Sequence, residues 1–187
     1  MKIQDGKGTQ YQAGVTLDGK LETFSTVINE MAIVSKDRGK SYILATDYIS
    51  LSTTASFNAL AYIKNNSDKD LLIHSMRTCS DATGSMQIRL LSNPTAGTIV
   101  SDANVGDQLP ANVGSSEPFG GLFYSASGDG KTFTDGDNLS QFINKSPGHS
   151  VQDYEGSIVI PKGKSIGLQV KPSVATTICC EIKCWFE

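Results

Sequence analysis

The stretch GSIVIPKGKSIGLQVKP, residues 156–172, contains two runs in which apolar and polar positions alternate, separated by a short polar segment. In a strand, alternate side chains point to the same face, so each run presents one apolar face. These faces consist of Ile158 and Ile160 in the first run and of Ile166, Leu168 and Val170 in the second. Residues 161–164, Pro-Lys-Gly-Lys, predict a hairpin turn, and the whole stretch predicts two half-buried strands.

The same alternation recurs along the chain, whereas helical periodicity is almost absent. Residues 57–79 contain two apolar runs around NNSDKD, which predicts either a hairpin or a loop that crosses between sheets. Strands are also predicted at Met86 to Leu91 and near Thr98 to Val100. Residues 177–187 predict a strand that is central or well covered. Its predicted inward side chains are Ile178, Cys180, Ile182, Cys184 and Phe186, and its outward ones are Cys179, Glu181, Lys183 and Trp185.

These patterns predict an all-β fold, a two-sheet antiparallel sandwich that is jelly-roll-like and carries an extended N-terminal arm. A chain of 187 residues is long enough for one core, so a single sandwich domain is expected at residues 36–187, after an arm at residues 1–35. Residues 101–150 are rich in Gly, Asp, Asn and Ser and predict long ordered loops with short strands. The order of the strands stays open at this point.

The predicted arm carries apolar side chains that are too widely spaced to close a core alone. Such a segment is expected to become ordered on a partner, where its strands and its apolar side chains find contacts. The alternative is that it forms an edge strand of the protein's own sandwich. The residues expected to contact the partner are Ile3, Tyr11, Val15, Leu17, Leu21 and Phe24.

The composition limits the classes of partner and the compartment. With 16 basic and 19 acidic residues the net charge is −3, which argues against binding to nucleic acid or to an acidic membrane surface. No apolar run approaches the length of a membrane span, and the first residues lack the apolar core of a leader, so a soluble protein made in the cytosol is expected. The four cysteines, Cys79, Cys179, Cys180 and Cys184, are expected to be reduced.

Local motifs give little support to enzymatic chemistry. KGKS at residues 162–165 lacks the first glycine of a phosphate-binding loop, and GKGTQY at residues 6–11 lacks the third glycine of a dinucleotide fingerprint. No G-x-S-x-G elbow occurs. Only His74, in a predicted strand, and His149, in a predicted loop, could act as bases near neutral pH. The sequence therefore predicts a protein that is not an enzyme and needs no cofactor, although a pair of carboxylates assembled in space stays open.

Two groups of residues suggest a metal but are better explained otherwise. On a strand, Cys180 and Cys184 would be about 13 Å apart, too far to share one zinc ion. Asp129, Asp135 and Asp137 lie in a glycine-rich loop that suits tight turns, with a structural cation as the alternative. No metal site is predicted.

Four segments together resemble a family of virion proteins of tailed bacteriophages, the β-sandwich head decoration or cement proteins. They are DGKGTQYQAGVTLDGKLET (5–23), AYIKNNSDKDLLIHSM (61–76), LLSNPTAGTIV (90–100) and IVIPKGKSIGLQVKPS (158–173). The resemblance implies a viral structural protein, commonly a homotrimer, that is assembled in the host cytoplasm and lies on the outside of the capsid. It further implies that the partner is the major capsid protein, that the N-terminal arm lies across the shell, and that there are no catalytic residues.

Two other functions are weighed against decoration. A head-fibre or tail module that recognises a host glycan would use the aromatic-bearing loops, with Phe123, Tyr124 and Asp129 supplying a stacking platform and hydrogen bonds. A free carbohydrate-binding or hydrolytic sandwich would instead require activity on polysaccharides. The number of copies in purified particles separates the first from decoration, and loss of activity on mutating a carboxylate identifies the second.

Overall fold

The computed structural model describes residues 2–4, 12–15, 21–23, 35, 40–52, 54–91, 106–133, 135–144 and 148–187. The residues in these ranges form strands and loops and contain no α-helix. The strands are β1 (Lys2–Gln4), β2 (Gln12–Val15), β3 (Leu21–Thr23), β4 (Ser41–Ala45), β5 (Ile49–Leu51), β6 (Asn58–Asn65), β7 (Leu71–Ser80), β8 (Gly84–Leu91), β9 (Asp107–Pro110), β10 (Gly121–Ser125), β11 (Asp137–Asn144), β12 (Gly148–Ile160), β13 (Ser165–Pro172) and β14 (Thr176–Phe186).

Two antiparallel sheets pack face to face as a sandwich. The five-stranded sheet has the order β10-β6-β13-β8-β11. The six-stranded sheet has the order β12-β7-β14-β4-β9, and β5 pairs with β14. The sets β4-β14-β7-β12 and β6-β13-β8-β11 reproduce the two four-stranded sheets of a jelly roll, in which the chain passes repeatedly from one sheet to the other. The predicted fold class is confirmed.

The strand that ends the jelly roll behaves as its sequence pattern predicts. β14 lies in the middle of the six-stranded sheet, between β7 and β4. Its five predicted inward side chains are all buried in the core. Trp185 points to the outer face, as predicted, yet it is only 1% exposed. The bulged part of β12 covers it, since a Cβ on Gly156 would lie 2.9 Å from the indole.

The turn at residues 161–164 is not a hairpin, and this prediction is wrong. β12 belongs to the six-stranded sheet and β13 to the five-stranded sheet, so the turn carries the chain from one layer to the other. The Lys164 N–H donates to the Pro161 carbonyl at 3.0 Å, and Gly163 takes a positive φ of 77°. A local pattern specifies the turn and the two strands, but it does not specify which strand each of them pairs with.

The chain also crosses from one sheet to the other between β6 and β7. The segment NNSDKD is therefore a loop that crosses between sheets and not a hairpin. Asn65 is fully buried and joins the two crossings. Its amide Nδ2 donates to the carbonyls of Lys69 at 2.7 Å and Ile160 at 2.8 Å. Its backbone N–H donates to the Lys164 carbonyl at 3.0 Å, and its carbonyl accepts from the Gly163 N–H at 2.7 Å.

The prediction that residues 165–172 are half-buried is also wrong, because the outer face of the five-stranded sheet is covered. We call residues 126–133 and 135–136 the cover segment. The Phe133 ring lies over Gly167, and the Lys131 carbonyl accepts from the Ala59 N–H at 2.7 Å. As a result Gln169, which points away from the core, is only 3% exposed.

Residues 106–144 contribute most of the sheet edges. β9 is the edge of the six-stranded sheet, and β10 and β11 are the two edges of the five-stranded sheet. β9 and β10 lie on the same side of the sandwich, where a Cβ on Gly106 would overlap the Phe123 ring and the Ala45 carbonyl. On the opposite side the edges are β11 and β12.

The N-terminal strands form a sheet of their own, in the order β1-β2-β3. Ile3 is opposite Ala13, and Val15 is opposite Leu21. Among the described strands, none of the ladders joins this three-stranded meander to either sheet of the sandwich. The described strands of this segment therefore pair with one another.

Candidate functional site

An apolar groove lies on the β11/β12 side of the sandwich. Its volume is about 610 Å³, within the range of small-molecule and peptide sites. It lies where β11 and β12 form the edges of the two sheets. The lining residues are Leu90, Asp137, Leu139, Ser157, Ile158, Val159, Ile160, Pro161, Lys164 and Ile166.

The groove is suited to binding an apolar surface rather than to chemistry. Leu90 is 46% exposed, and Leu139 and Val159 are each 48% exposed. The only ionisable side chains in the lining are Asp137 and Lys164, one of each sign. Removing such exposed apolar surface from water stabilises a complex by about 25 cal/mol for each Å² buried.

The two sheets also contact each other on this side of the sandwich. Tyr154 on β12 lies beside Ser140 on β11, and burial raises the pKa of the Tyr154 phenol above its usual value. Deeper in the sandwich, the Thr78 hydroxyl donates to Asn144 Oδ1 at 3.0 Å. Since β12 and β7 belong to one sheet and β11 to the other, these contacts fix the spacing between the two layers.

This groove is not among the sites predicted from the sequence. Its walls come from β8, β11, β12 and β13, and only the strand order brings these strands to one side. One local signal was available in the run Ile158, Val159, Ile160, because three consecutive apolar residues place an apolar side chain on both faces of a strand.

Neither histidine is part of an acid–base pair in the described structure. His74 lies on β7, with its ring 6.0 Å from the Trp185 indole. His149 lies on β12 and not in a loop, so that part of the prediction is wrong. It is opposite Cys79 on β7.

The three aspartates of the candidate cation loop do not converge. Asp129 accepts hydrogen bonds from the Ser52 backbone and hydroxyl, whereas Asp137 is on β11 opposite Leu90. Asp135 lies close enough to Tyr62 to contribute to the raised pKa of that phenol, of which burial is the largest cause. Within the described ranges there is no group of three or more His, Cys, Asp or Glu residues placed to hold a metal ion.

The residues proposed for glycan recognition contact other residues of the protein itself. Phe123 is only 1% exposed and faces the core. Tyr124 stacks on Tyr62, with ring centroids 6.0 Å apart. Asp129 accepts from Ser52. Phe123 therefore offers no face to a sugar ring, and the three residues do not form an open platform.

Of the six predicted partner-contact residues, Ile3, Val15 and Leu21 are on strands of the N-terminal meander. Tyr11, Leu17 and Phe24 lie outside the described residues, as does the short strand predicted near Thr98. The role of all six in contacting a partner stays a prediction.

Comparison with family models, with curated proteins and with solved structures found no match for this chain. The resemblance to phage decoration proteins consequently rests on the four quoted segments. Within the part of the chain that the structure describes, no helix is both long and apolar enough to cross a membrane.

Proposed function

We propose that this protein is a non-enzymatic capsid decoration protein of a tailed bacteriophage. It binds the outer surface of the major capsid shell, as a homotrimer, and stabilises the shell against disruption. It is assembled in the host cytoplasm and becomes part of the virion. The proposal combines the jelly-roll sandwich with the resemblance of the four sequence segments.

The observation that supports the proposal is that no described ladder joins the N-terminal meander to the sandwich. The described ladders of β1, β2 and β3 connect these strands only to one another. The outer strands of a small sheet have unpaired backbone groups, which accept a further strand from a partner. Three short strands are also marginal alone, so contact with a partner would stabilise them.

Many weak contacts make such a protein effective. Each meander offers a modest interface, but the subunits of a trimer engage neighbouring capsid subunits at the same time. Simultaneous engagement raises the overall affinity by about 10² to 10⁴ over a single contact. The shell is then held by physical links between its subunits, and no catalytic group is needed.

The direct test adds the purified protein to capsids assembled without it. We expect saturable binding in many copies per shell and a higher temperature of shell disruption. Deleting residues 1–24 should leave a folded sandwich that no longer binds. A triple variant, Ile3→Ser, Val15→Ser and Leu21→Ser, should bind more weakly, because it removes the apolar side chains of the three strands.

Val113→Ser is the matched control, since Val113 is an apolar side chain 95% exposed on a loop of the sandwich. It should bind capsids as the unaltered protein does. Normal binding by the truncated protein would contradict the role of the N-terminal segment. Failure of the intact protein to bind any shell, or incorporation at only a few copies per particle, would contradict decoration itself.

A further inference from the structure

Two of the four cysteines face each other across neighbouring strands. Cys79 on β7 and Cys179 on β14 are direct partners in the antiparallel ladder. Directly opposed residues of such a ladder place their side chains on the same face. For this pair it is the outer face, because Thr78 and Cys180, their chain neighbours, are buried inside. Both Cys79 and Cys179 are half-buried and keep free thiols.

The backbone spacing suits a covalent link. Opposed Cα atoms in an antiparallel ladder are about 4.5–5.5 Å apart, and disulfides bridge Cα atoms about 4.4–6.8 Å apart. The two thiols lie close enough for Cys79 to influence the pKa of Cys179. Forming the bond thus requires the side chains to turn but leaves the strand pairing unchanged.

The other two cysteines are in a different environment. Burial raises the pKa of the Cys180 thiol to about 12, and burial also raises the pKa of the Cys184 thiol. For Cys179, burial raises the pKa and Cys79 adds to the rise, whereas the nearby Arg77 guanidinium opposes it. Cys180 and Cys184 are also buried and therefore shielded from reagents, whereas the outer pair is partly exposed.

We propose that Cys79 and Cys179 form a reversible thiol–disulfide site on the outer face of the six-stranded sheet, which closes when the protein meets a low-molecular-weight disulfide. The thiolate of one cysteine attacks glutathione disulfide, forms a mixed disulfide and releases one glutathione. The thiolate of the other cysteine then attacks the protein sulfur and releases the second glutathione. Two protein thiols are oxidised, one glutathione disulfide is reduced, and both thiol protons end on the released glutathiones.

The test treats the purified, reduced full-length chain with glutathione disulfide and maps the products. We expect the mass of the intact chain to fall by that of two hydrogen atoms, with no disulfide bond between chains. After the remaining thiols are alkylated, trypsin should give peptide 78–89 linked to peptide 165–183. Fragmentation of that pair should place the bond on Cys179 and not on Cys180. Before oxidation, the outer pair should react with a thiol reagent at least about tenfold faster than the core pair.

Variants at single positions provide the controls. Cys79→Ser and Cys179→Ser should each abolish the internal link and leave a stable mixed disulfide with glutathione on the remaining outer cysteine. Cys184→Ala, which removes a core thiol, should keep the link. If this variant does not fold, fragmentation of the linked peptides from the unaltered chain still shows whether Cys79 is bonded to Cys179. Mixed disulfides on both outer cysteines with no internal link would overturn the proposal, and so would a bond to Cys180 or a disulfide-linked dimer.

Discussion

The contact between Phe133 and Gly167 gives the most specific prediction of the fold. A Cβ added to Gly167 would overlap three atoms of the Phe133 ring, the farthest at 2.9 Å. Overpacking of this kind destabilises by about 1–3 kcal/mol. Phe133 itself is 8% exposed. Truncating a buried Phe to Ala costs about 3–5 kcal/mol, and the lower end applies here because a loop can settle into the space.

The two effects should not add. With Phe133→Ala in place the overlap is gone, so Gly167→Ala becomes nearly neutral and its new methyl group fills part of the space left by the ring. We therefore expect about 2 kcal/mol of destabilisation for Gly167→Ala alone, about 3 for Phe133→Ala alone and about 3 for the double variant. The coupling energy would be about 2 kcal/mol.

Chemical denaturation monitored by tryptophan fluorescence measures these values, since Trp185 is the single tryptophan of the chain and lies in the other sheet. The four proteins of the cycle should unfold with the same denaturant dependence if the native fold is unchanged. Additivity of the two single effects to within about 0.5 kcal/mol would refute the contact between the cover segment and β13.

Two further predictions concern the core. Gly156→Ala should destabilise the protein by at least about 1 kcal/mol, because Gly156 has a φ of 85° and a Cβ there would lie 2.9 Å from Trp185. Gly128→Ala is the control, since no atom lies within 4 Å of the added Cβ, and it should be close to neutral in the same denaturation assay. The free energy of unfolding should also fall as pH rises from 9.0 towards 12, because the unfolded chain loses the Cys180 proton in that window while the folded chain keeps it. Cys180→Ala should reduce this fall in the free energy of unfolding. An equal slope in the variant would exclude Cys180 as a cause.

The sequence was sufficient to predict the elements whose information is local. Alternation along residues 177–187 identified both the strand β14 and the side chains it buries, because one face of a strand must be apolar wherever a sheet is covered. The fold class followed from the repetition of that pattern. The inference that this strand is central or well covered was also correct, because so apolar a strand is stable only when it is covered.

Pairing between strands that are distant along the chain could not be predicted from local sequence patterns. The turn at residues 161–164 has the residues of a hairpin turn, yet its two strands pair with β7 and with β6 and β8. Burial of residues 165–172 on both faces depends on Phe133, which is far away along the chain. The groove likewise arises only when β11 and β12 come to the same side, so no spacing of residues within one strand could predict it.

The central position of β14 has a consequence for biosynthesis. During translation β7 and β4 emerge from the ribosome well before residues 176–186, and in the finished sheet they have no ladder with each other. The six-stranded sheet therefore lacks its central strand, β14, until those residues have been synthesised. Nascent chains are expected to expose unpaired edges until that moment, which makes them candidates for chaperone binding.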